Sequence, residues 1–136
     1  NHIVTFLSYN NKIGEPKTEE APIVVNAPVP TGNKIITVGL IGAGSFACST
    51  LLPIIAAHPD KFKLKTIVNR SGDKALNAAR QFKAERISSN NDDIFNDNEI
   101  NLVMICTRHN NHAELVLKAL RAGKHVYTEK PLAISA

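Results

Sequence analysis

A glycine-rich turn is the first stretch of this sequence whose residue types and spacing could do chemistry. Residues 42–47 read G-A-G-S-F-A, and the apolar run before them predicts a buried strand over Ile35–Ile41. Gly42 permits a tight turn, while Gly44 lets the backbone approach an anion that any Cβ would exclude. The spacing G-x-G-x-x-A between a strand and a helix predicts a dinucleotide site, with an ordinary glycine turn as the alternative.

The end of a second predicted strand, Phe62–Val68, carries the next candidates. NAD sites usually have Asp or Glu at this point to bind the ribose hydroxyls, whereas this chain has Asn69, Arg70 and Ser71. No carboxylate there would repel a 2′-phosphate, and Arg70 could pair with one or stack on adenine. We therefore expect NAD or NADP as the cofactor, with NADP favoured by a small margin. The alternative is that Arg70 is a solvated turn residue.

Polar residues also follow a fourth predicted strand, Asn101–Cys106, where the sequence reads C-T-R-H-N-N-H over residues 106–112. We expect these groups near the ribose or nicotinamide of the cofactor. Two histidines three residues apart could suggest a metal site, but no carboxylate or thiolate at suitable spacing completes it, so no metal is expected. His112 is expected to face the cleft or to cap the helix that follows.

A fifth predicted strand, His125–Tyr127, ends in the sequence T-E-K-P. Pro131 turns the chain and biases Lys130 toward an extended conformation, and a cis peptide is possible before a proline. A lysine at the carboxyl edge of a parallel strand, beside the nicotinamide position, could donate a hydrogen bond to a substrate hydroxyl or carbonyl. The alternative is an exposed surface pair of Glu129 and Lys130.

The elements between these stretches predict how they are brought together. Strands alternate with helices, so we expect an α/β fold with a doubly wound, mainly parallel Rossmann sheet, in which ligands bind beyond the carboxyl ends of the strands. Pro53 predicts a kink or a break in the first helix. The other expected elements are a helix capped by Ser71, an edge strand at Arg86–Ser88, a helical turn at 92–96 and a helix over 111–122 with Ala113, Val116, Leu117 and Leu120 on one face.

Composition narrows the class of protein. Hydrophobic residues make up 43% of the chain and charged residues 21%, which is typical of a globular protein, and the net charge of +4 includes no basic block. We therefore expect neither nucleic-acid binding nor membrane insertion. Cys48 and Cys106 form no C-x-x-C pair, so we expect free thiols and a cytoplasmic location. Prolines in residues 1–33 predict the end of a preceding domain and a linker, followed by the nucleotide-binding domain over 34–136.

Three segments together carry a family resemblance: I-G-A-G-S-F-A, T-R-H-N-N-H-A-E and A-L-R-A-G-K-H-V-Y-T-E-K-P-L-A. The chain resembles the Gfo/Idh/MocA oxidoreductases over residues 34–136, which correspond to the nucleotide-binding half of that family. The resemblance implies NAD(P)-dependent hydride transfer at a hydroxyl-bearing carbon of a sugar, cyclitol or nucleotide-sugar. It also assigns roles to individual residues: Lys130 in catalysis, and Gly42, Gly44, Ser45, Phe46, Asn69, Arg70, Cys106, Thr107, His112, Glu129 and Lys130 in the cofactor site.

The sequence departs from the family pattern in two ways. Thr107 is followed by Arg108 and His109 instead of the common Pro-Asn, which resembles a subgroup fused to a zinc-type alcohol dehydrogenase-like domain. We expect the family's C-terminal α/β domain to lie outside this sequence, the sugar-like substrate to bind through that domain, the fragment to be inactive alone and the full-length protein to be a homo-oligomer. The alternative function is a non-catalytic dinucleotide sensor or scaffold, which would have no need of Lys130.

Overall fold

The computed structural model describes residues 35–133. The predicted linker and preceding domain over residues 1–33 lie outside the described residues and stay a prediction. None of the described helices is long and apolar enough to cross a bilayer.

The described part of the chain forms a five-stranded parallel sheet in the order β3-β2-β1-β4-β5. This arrangement confirms the predicted doubly wound α/β fold and the edge position of the third strand. Apolar, β-branched runs account for the central strands, where Val38 and Leu40 are fully buried. The strands are β1 (Ile36–Ile41), β2 (Phe62–Val68), β3 (Arg86–Ser88), β4 (Leu102–Ile105) and β5 (His125–Thr128).

The strand register brings the carboxyl ends together at one edge. Ile41 of β1 is level with Val68 of β2 and with Ile105 of β4. Ile105 is in turn level with Thr128 at the end of β5. The loops that carry the predicted site residues therefore leave the sheet at the same level.

Helices cover both faces of the sheet. One core packs α1 and α2 against β1 and β2, and a second packs α3 and α4 on β1 and β4. A Cβ on Gly39 would lie 2.8 Å from Ile94 Cγ2, so glycine is what lets α3 approach β1 so closely. The helices are α1 (Leu52–Ala57), α2 (Gly72–Phe82), α3 (Asp92–Phe95) and α4 (His112–Arg121).

The first helix is irregular, as Pro53 predicts. A π-helical segment, Ala47–Leu51, precedes α1, and the N–H of Leu52 donates to the carbonyl of Ala47, five residues back. Pro53 has no N–H to donate into the preceding turn, which weakens the regular α ladder at this point.

The buried face of α4 differs from the expected one. His112, Leu115 and Ala119 pack into the core, whereas Leu117 and Leu120 are 52% and 55% exposed. Both faces of this helix carry residues at helical spacing, so the periodicity alone does not select one. The prediction that Leu117 and Leu120 lie on the packed face is wrong.

A polar network holds the opposite, amino-terminal edge of the sheet. Lys65 Nζ lies 2.9 Å from Asp97 Oδ2, Arg86 also pairs with this carboxylate, and Lys124 Nζ donates to the Asp97 carbonyl at 2.6 Å. Burial opposes the charge of Asp97, but hydrogen bonds from Lys65 and the Glu99 N–H outweigh it and hold the pKa of Asp97 below its usual value. The network ties β2, β3 and the turn before β5 to one residue and leaves the carboxyl edge free.

Candidate functional site

A cavity of about 630 Å³ opens at the carboxyl edge of the sheet. It is lined by the loops after β1, β2 and β4 together with the start of α2: residues 41–44, 68–71, 74, 106–108, 110 and 111. This is the edge at which parallel α/β sheets bind ligands. Three of the four sequence-predicted stretches line it, namely the glycine turn and the loops after β2 and β4.

Glycine occupies the two positions of the turn for different structural reasons. Gly42 adopts φ +98°, and a Cβ on it would lie 2.6 Å from the carbonyl oxygen of Cys106, so only glycine fits. A Cβ on Gly44 would meet no atom of residues 35–133 closer than the Cys106 carbonyl oxygen, at 4.0 Å. Gly44 is exposed and lines the cavity, so its bare backbone leaves a space that a ligand can approach.

The helix opening beyond the turn is exposed on its ligand side and buried on its sheet side. Ser45 and Phe46 are exposed, Phe46 by 44%, and neither lines the cavity wall. Ala47 is fully buried, which lets the helix pack against the sheet as a residue with a larger side chain could not. The first N–H groups of this helix lack intrahelical partners and suit an anion.

Asn69 links two of the loops that line the cavity. Its Oδ1 accepts a hydrogen bond from the Ala43 N–H at 3.1 Å, and its Nδ2 donates to the Ser71 carbonyl at 3.0 Å. One lone pair and one N–H of the amide remain available for a ligand. Ser71 occupies the N-cap position of α2, as predicted, but its hydroxyl makes no capping hydrogen bond.

Three cationic side chains line the cavity: Arg70, Lys74 and Arg108. None of the described residues that line it is Asp or Glu. The sequence reasoning missed Lys74, although its place in the first turn of α2, four residues after Arg70, puts it at the edge where α2 begins. Arg108 belongs to the stretch 106–112 that the sequence predicts near the cofactor, although no individual role is predicted for it. The cavity is therefore suited to a ligand with several negative charges.

Cys106 and Glu129 lie where β4 and β5 end. Burial first, and then the Glu129 charge, raise the pKa of the half-buried Cys106 thiol to about 11, so this residue adds no negative charge to the cavity at neutral pH. The Tyr127 hydroxyl donates a hydrogen bond to Glu129 Oε1, which raises the pKa of Tyr127 to about 12. Glu129 does not line the cavity, and its carboxylate is held by its neighbour on the same strand face.

Lys130 follows at the same edge. Its side chain is exposed, and no ion pair within residues 35–133 includes it. The peptide bond between Lys130 and Pro131 is cis. The adjoining Glu129 N–H donates to the Ile105 carbonyl at 3.4 Å, which keeps the start of this loop against β4.

His112 is fully buried and does not line the cavity. Its Nε2 lies 3.0 Å from the Thr107 carbonyl oxygen and its Nδ1 lies 3.0 Å from the Pro131 carbonyl oxygen. The ring packs edge-on against His109 with the centroids 5.6 Å apart. No group of three or more potential metal ligands is found among the His, Cys, Asp and Glu residues that the structure describes.

Comparisons with known proteins agree with this geometry. The chain is 36% identical over 104 residues to levoglucosan dehydrogenase of Pseudarthrobacter phenanthrenivorans, covering 72% of this chain and 27% of that protein. It is similar in structure to KijD10, a 3-ketoreductase from Actinomadura kijaniata in complex with NADP and TDP-benzene, at a TM-score of 0.68 and 32% identity, covering 74% of this chain and 30% of that one.

A structure of levoglucosan dehydrogenase with NADH and L-sorbose matches at a TM-score of 0.64 and 34% identity, covering 72% of this chain and 28% of that one. The chain thus spans less than a third of the length of these relatives. Residues 36–136 match the family model described as the oxidoreductase family, NAD-binding Rossmann fold. The chain therefore belongs to the Gfo/Idh/MocA oxidoreductase family and carries its NAD(P)-binding Rossmann domain.

Proposed function

We propose that this chain is the nucleotide-binding part of an NAD(P)-dependent oxidoreductase that acts on a hydroxyl-bearing carbon of a sugar-like substrate. The names of its relatives support this class, since one is a dehydrogenase of an anhydrosugar and another a ketoreductase bound to a nucleotide compound. The resemblance assigns the substrate pocket to the family's C-terminal domain. The bound dinucleotide supplies the site that accepts or donates hydride.

The residues at the carboxyl edge fit such a cofactor. The bare backbone at Gly44 leaves room for a pyrophosphate, and the opening of the following helix offers it N–H groups and a favourable dipole. Asn69 holds the β1 and β2 loops together at the expected adenosine ribose. Ser45, Phe46, Cys106, Thr107, His112 and Glu129 keep their proposed cofactor roles as predictions from the family resemblance.

The cationic wall favours NADP over NAD. Arg70, Ser71 and Lys74 belong to the loop and helix after β2, where the 2′ position of the adenosine ribose lies in this fold. A 2′-phosphate there would gain charge-assisted hydrogen bonds from Arg70 and Lys74. It would meet no carboxylate from the described residues that line the cavity.

One observation carries the catalytic proposal: the loop of Lys130 adjoins the loop of Thr107, which lines the cavity. Thr107 and Lys130 each lie two residues beyond the paired ends of β4 and β5. Lys130 does not itself line the cavity, and the proposal is that its exposed side chain reaches the expected nicotinamide end from this loop. There it can donate to the substrate oxygen and stabilise the charge that develops as its proton leaves or returns.

The test is Lys130→Met in the full-length protein with its sugar-like substrate. We expect turnover to fall by about 10²–10⁴-fold, the usual contribution of a positioned acid–base group, while cofactor affinity stays within about threefold. Lys118→Met is the matched control, because Lys118 lies on the exposed face of α4 and pairs with Glu114 away from the cavity. The control should leave both quantities unchanged.

Turnover that survives Lys130→Met within a few-fold would refute the catalytic role. It would favour the second candidate, a dinucleotide sensor that binds the cofactor without turnover. The proposal also includes a cytoplasmic location, which is supported by the two free thiols because free thiols are usual in a reducing compartment. It further includes a homo-oligomeric state for the full-length protein. The domain boundary between residues 33 and 34 is likewise a proposal.

A further inference from the structure

His112 is a fully buried side chain that the proposed reaction does not use directly. Its ring lies between the loops that follow β4 and β5, with Nε2 3.0 Å from the Thr107 carbonyl oxygen and Nδ1 3.0 Å from the Pro131 carbonyl oxygen. Both neighbours are backbone acceptors. A neutral imidazole carries one N–H, so it donates to one of these two carbonyls, and that hydrogen bond restrains the loop to which the carbonyl belongs.

The two contacts restrain different parts of the site. Thr107 lines the cavity, and its carbonyl faces Nε2. Pro131 directly follows Lys130, and its carbonyl faces Nδ1. The backbone of Lys130 therefore lies between β4, which accepts the Glu129 N–H bond at the Ile105 carbonyl, and His112, which contacts the Pro131 carbonyl.

Lys130 depends on this restraint because its own side chain makes no ion pair within the described residues and is exposed. A long lysine side chain loses much rotamer freedom when it is fixed, so the direction of its Cα–Cβ bond decides how often the ammonium reaches the substrate oxygen. Small displacements of a reacting group reduce rates strongly.

We infer that His112 is a positioning residue for Lys130: the hydrogen bond from its Nδ1 to the Pro131 carbonyl holds the Lys130 backbone against the loop that lines the cofactor cavity. This inference rests on the proposed function, because it assigns His112 a role in turnover through Lys130. It separates the ring's two contacts into one that serves turnover, at Pro131, and one that serves the shape of the cavity, at Thr107.

Two amide substitutions separate the contacts. Asn carries its amide nitrogen at the δ position, as far along the side chain as Nδ1, and Gln carries its amide nitrogen at the ε position, as does Nε2. His112→Asn can therefore keep the bond to Pro131, and His112→Gln can keep the bond to Thr107. Each variant loses the contact made by the other ring nitrogen, and both variants replace the imidazole ring by an amide.

In the full-length protein we expect His112→Gln to lower kcat by tenfold or more, measured at saturating NADPH and substrate so that a change in affinity for either does not contribute. His112→Asn should lower kcat much less than His112→Gln does. Thermal unfolding of both variants gives the structural cost, which should be similar for the two. A merely structural role would lower stability in both and leave kcat per folded molecule unchanged in both.

Wild-type protein gives an independent measurement that no folding defect can obscure. The ¹⁵N chemical shifts of the His112 ring, assigned by comparison with His112→Asn, His112→Gln or a His109 variant, report whether Nδ1 carries a proton. A protonated Nδ1 is required, since only then does it donate to the Pro131 carbonyl. A ring with its proton on Nε2 alone would overturn the inference.

The kinetic outcomes distinguish this inference from the function beneath it. If Lys130→Met abolishes turnover but His112→Gln does not, the positioning role is wrong and the oxidoreductase proposal stands. If Lys130→Met leaves turnover intact, the proposed function is wrong, and the positioning role of His112 is wrong with it. Equal losses of kcat in both amide variants would show that the contact with Pro131 has no special role, and would overturn the inference.

Discussion

Replacing each glycine of the 42–44 turn by alanine should separate folding from cofactor binding. At Gly42, φ is +98° and a new Cβ would lie 2.6 Å from the Cys106 carbonyl oxygen and 2.8 Å from its carbonyl carbon. The unfavourable backbone conformation costs about 1–3 kcal/mol. Moving Cys106, the first residue after β4, away from the new Cβ costs about another 1–3 kcal/mol, the usual range for overpacking. Gly42→Ala should therefore lose about 2–6 kcal/mol of unfolding free energy.

Gly44→Ala is the matched variant because the added atom is the same. Among the described residues a Cβ there comes no closer than 4.0 Å to any neighbour, and Gly44 is not among the glycines with positive φ. Its stability should equal that of the wild type or exceed it by about 0.4–1 kcal/mol, since the unfolded chain loses freedom. Its affinity for the cofactor should fall at least tenfold, or about 1.4 kcal/mol, because the methyl group occupies the pyrophosphate approach.

Circular dichroism melting and titration of NADPH fluorescence measure the two effects in the same preparations. A loss of 2 kcal/mol corresponds to a drop of roughly 8–16 °C in the Tm of a domain of this size. Gly42→Ala should show that drop, and Gly44→Ala should melt like the wild type. A Gly42→Ala protein that melts normally would refute the steric reasoning, and a Gly44→Ala protein that binds NADPH normally would refute the pyrophosphate site.

Two further predictions concern charge. Arg70→Ala and Lys74→Ala should each weaken NADPH binding by about 1–3 kcal/mol and leave NADH almost unaffected, while Arg80→Ala in the last turn of α2 serves as the control; equal losses for both cofactors, measured by calorimetry, would contradict the 2′-phosphate assignment. The Tyr127 phenol should titrate at about 12, and Glu129→Gln should return it toward its ordinary value of about 10. Because the folded-state pKa is the higher one, the contribution of this bond to stability should be present below pH about 10 and lost between about 10 and 12. Ultraviolet absorbance, with Tyr127→Phe to identify the signal, would contradict this if the midpoint lay near 10.

Most of the fold was predictable because strands and turns here depend on local residue types. Apolar, β-branched runs predicted β1, β2 and β4 to within a residue of their observed ends. The tight turn predicted at Gly42 is observed, with a positive φ at that glycine. The face of α4 was not predictable from periodicity, since apolar residues occupy more than one side of that helix. The face that packs on the sheet carries His112, Leu115 and Ala119, whereas Leu117 and Leu120 are exposed.

The candidate site was predictable in its loops and only partly in its contacts. The rule that ligands bind at the carboxyl ends of strands selected the stretches around Gly42, Asn69 and Cys106, all of which line the cavity. The partners of His112 were not predictable, because they are backbone carbonyls, which leave no signature in the sequence. Lys74 was missed because a lysine in a helix reads as an ordinary solvated residue until the helix is placed beside the cavity.

The strand order has an evolutionary consequence. β1 and β4 lie between β2 and β5. The residues proposed to discriminate the cofactor follow β2, and Lys130 follows β5. Three strand spacings of about 4.8 Å put these two regions roughly 14 Å apart. Substitutions separated by more than about 7–10 Å usually act additively. If the proposed roles are correct, a descendant of this protein could exchange its preferred nucleotide through a few changes around Arg70 without altering Lys130. The two proposed properties could then change independently within one small sheet.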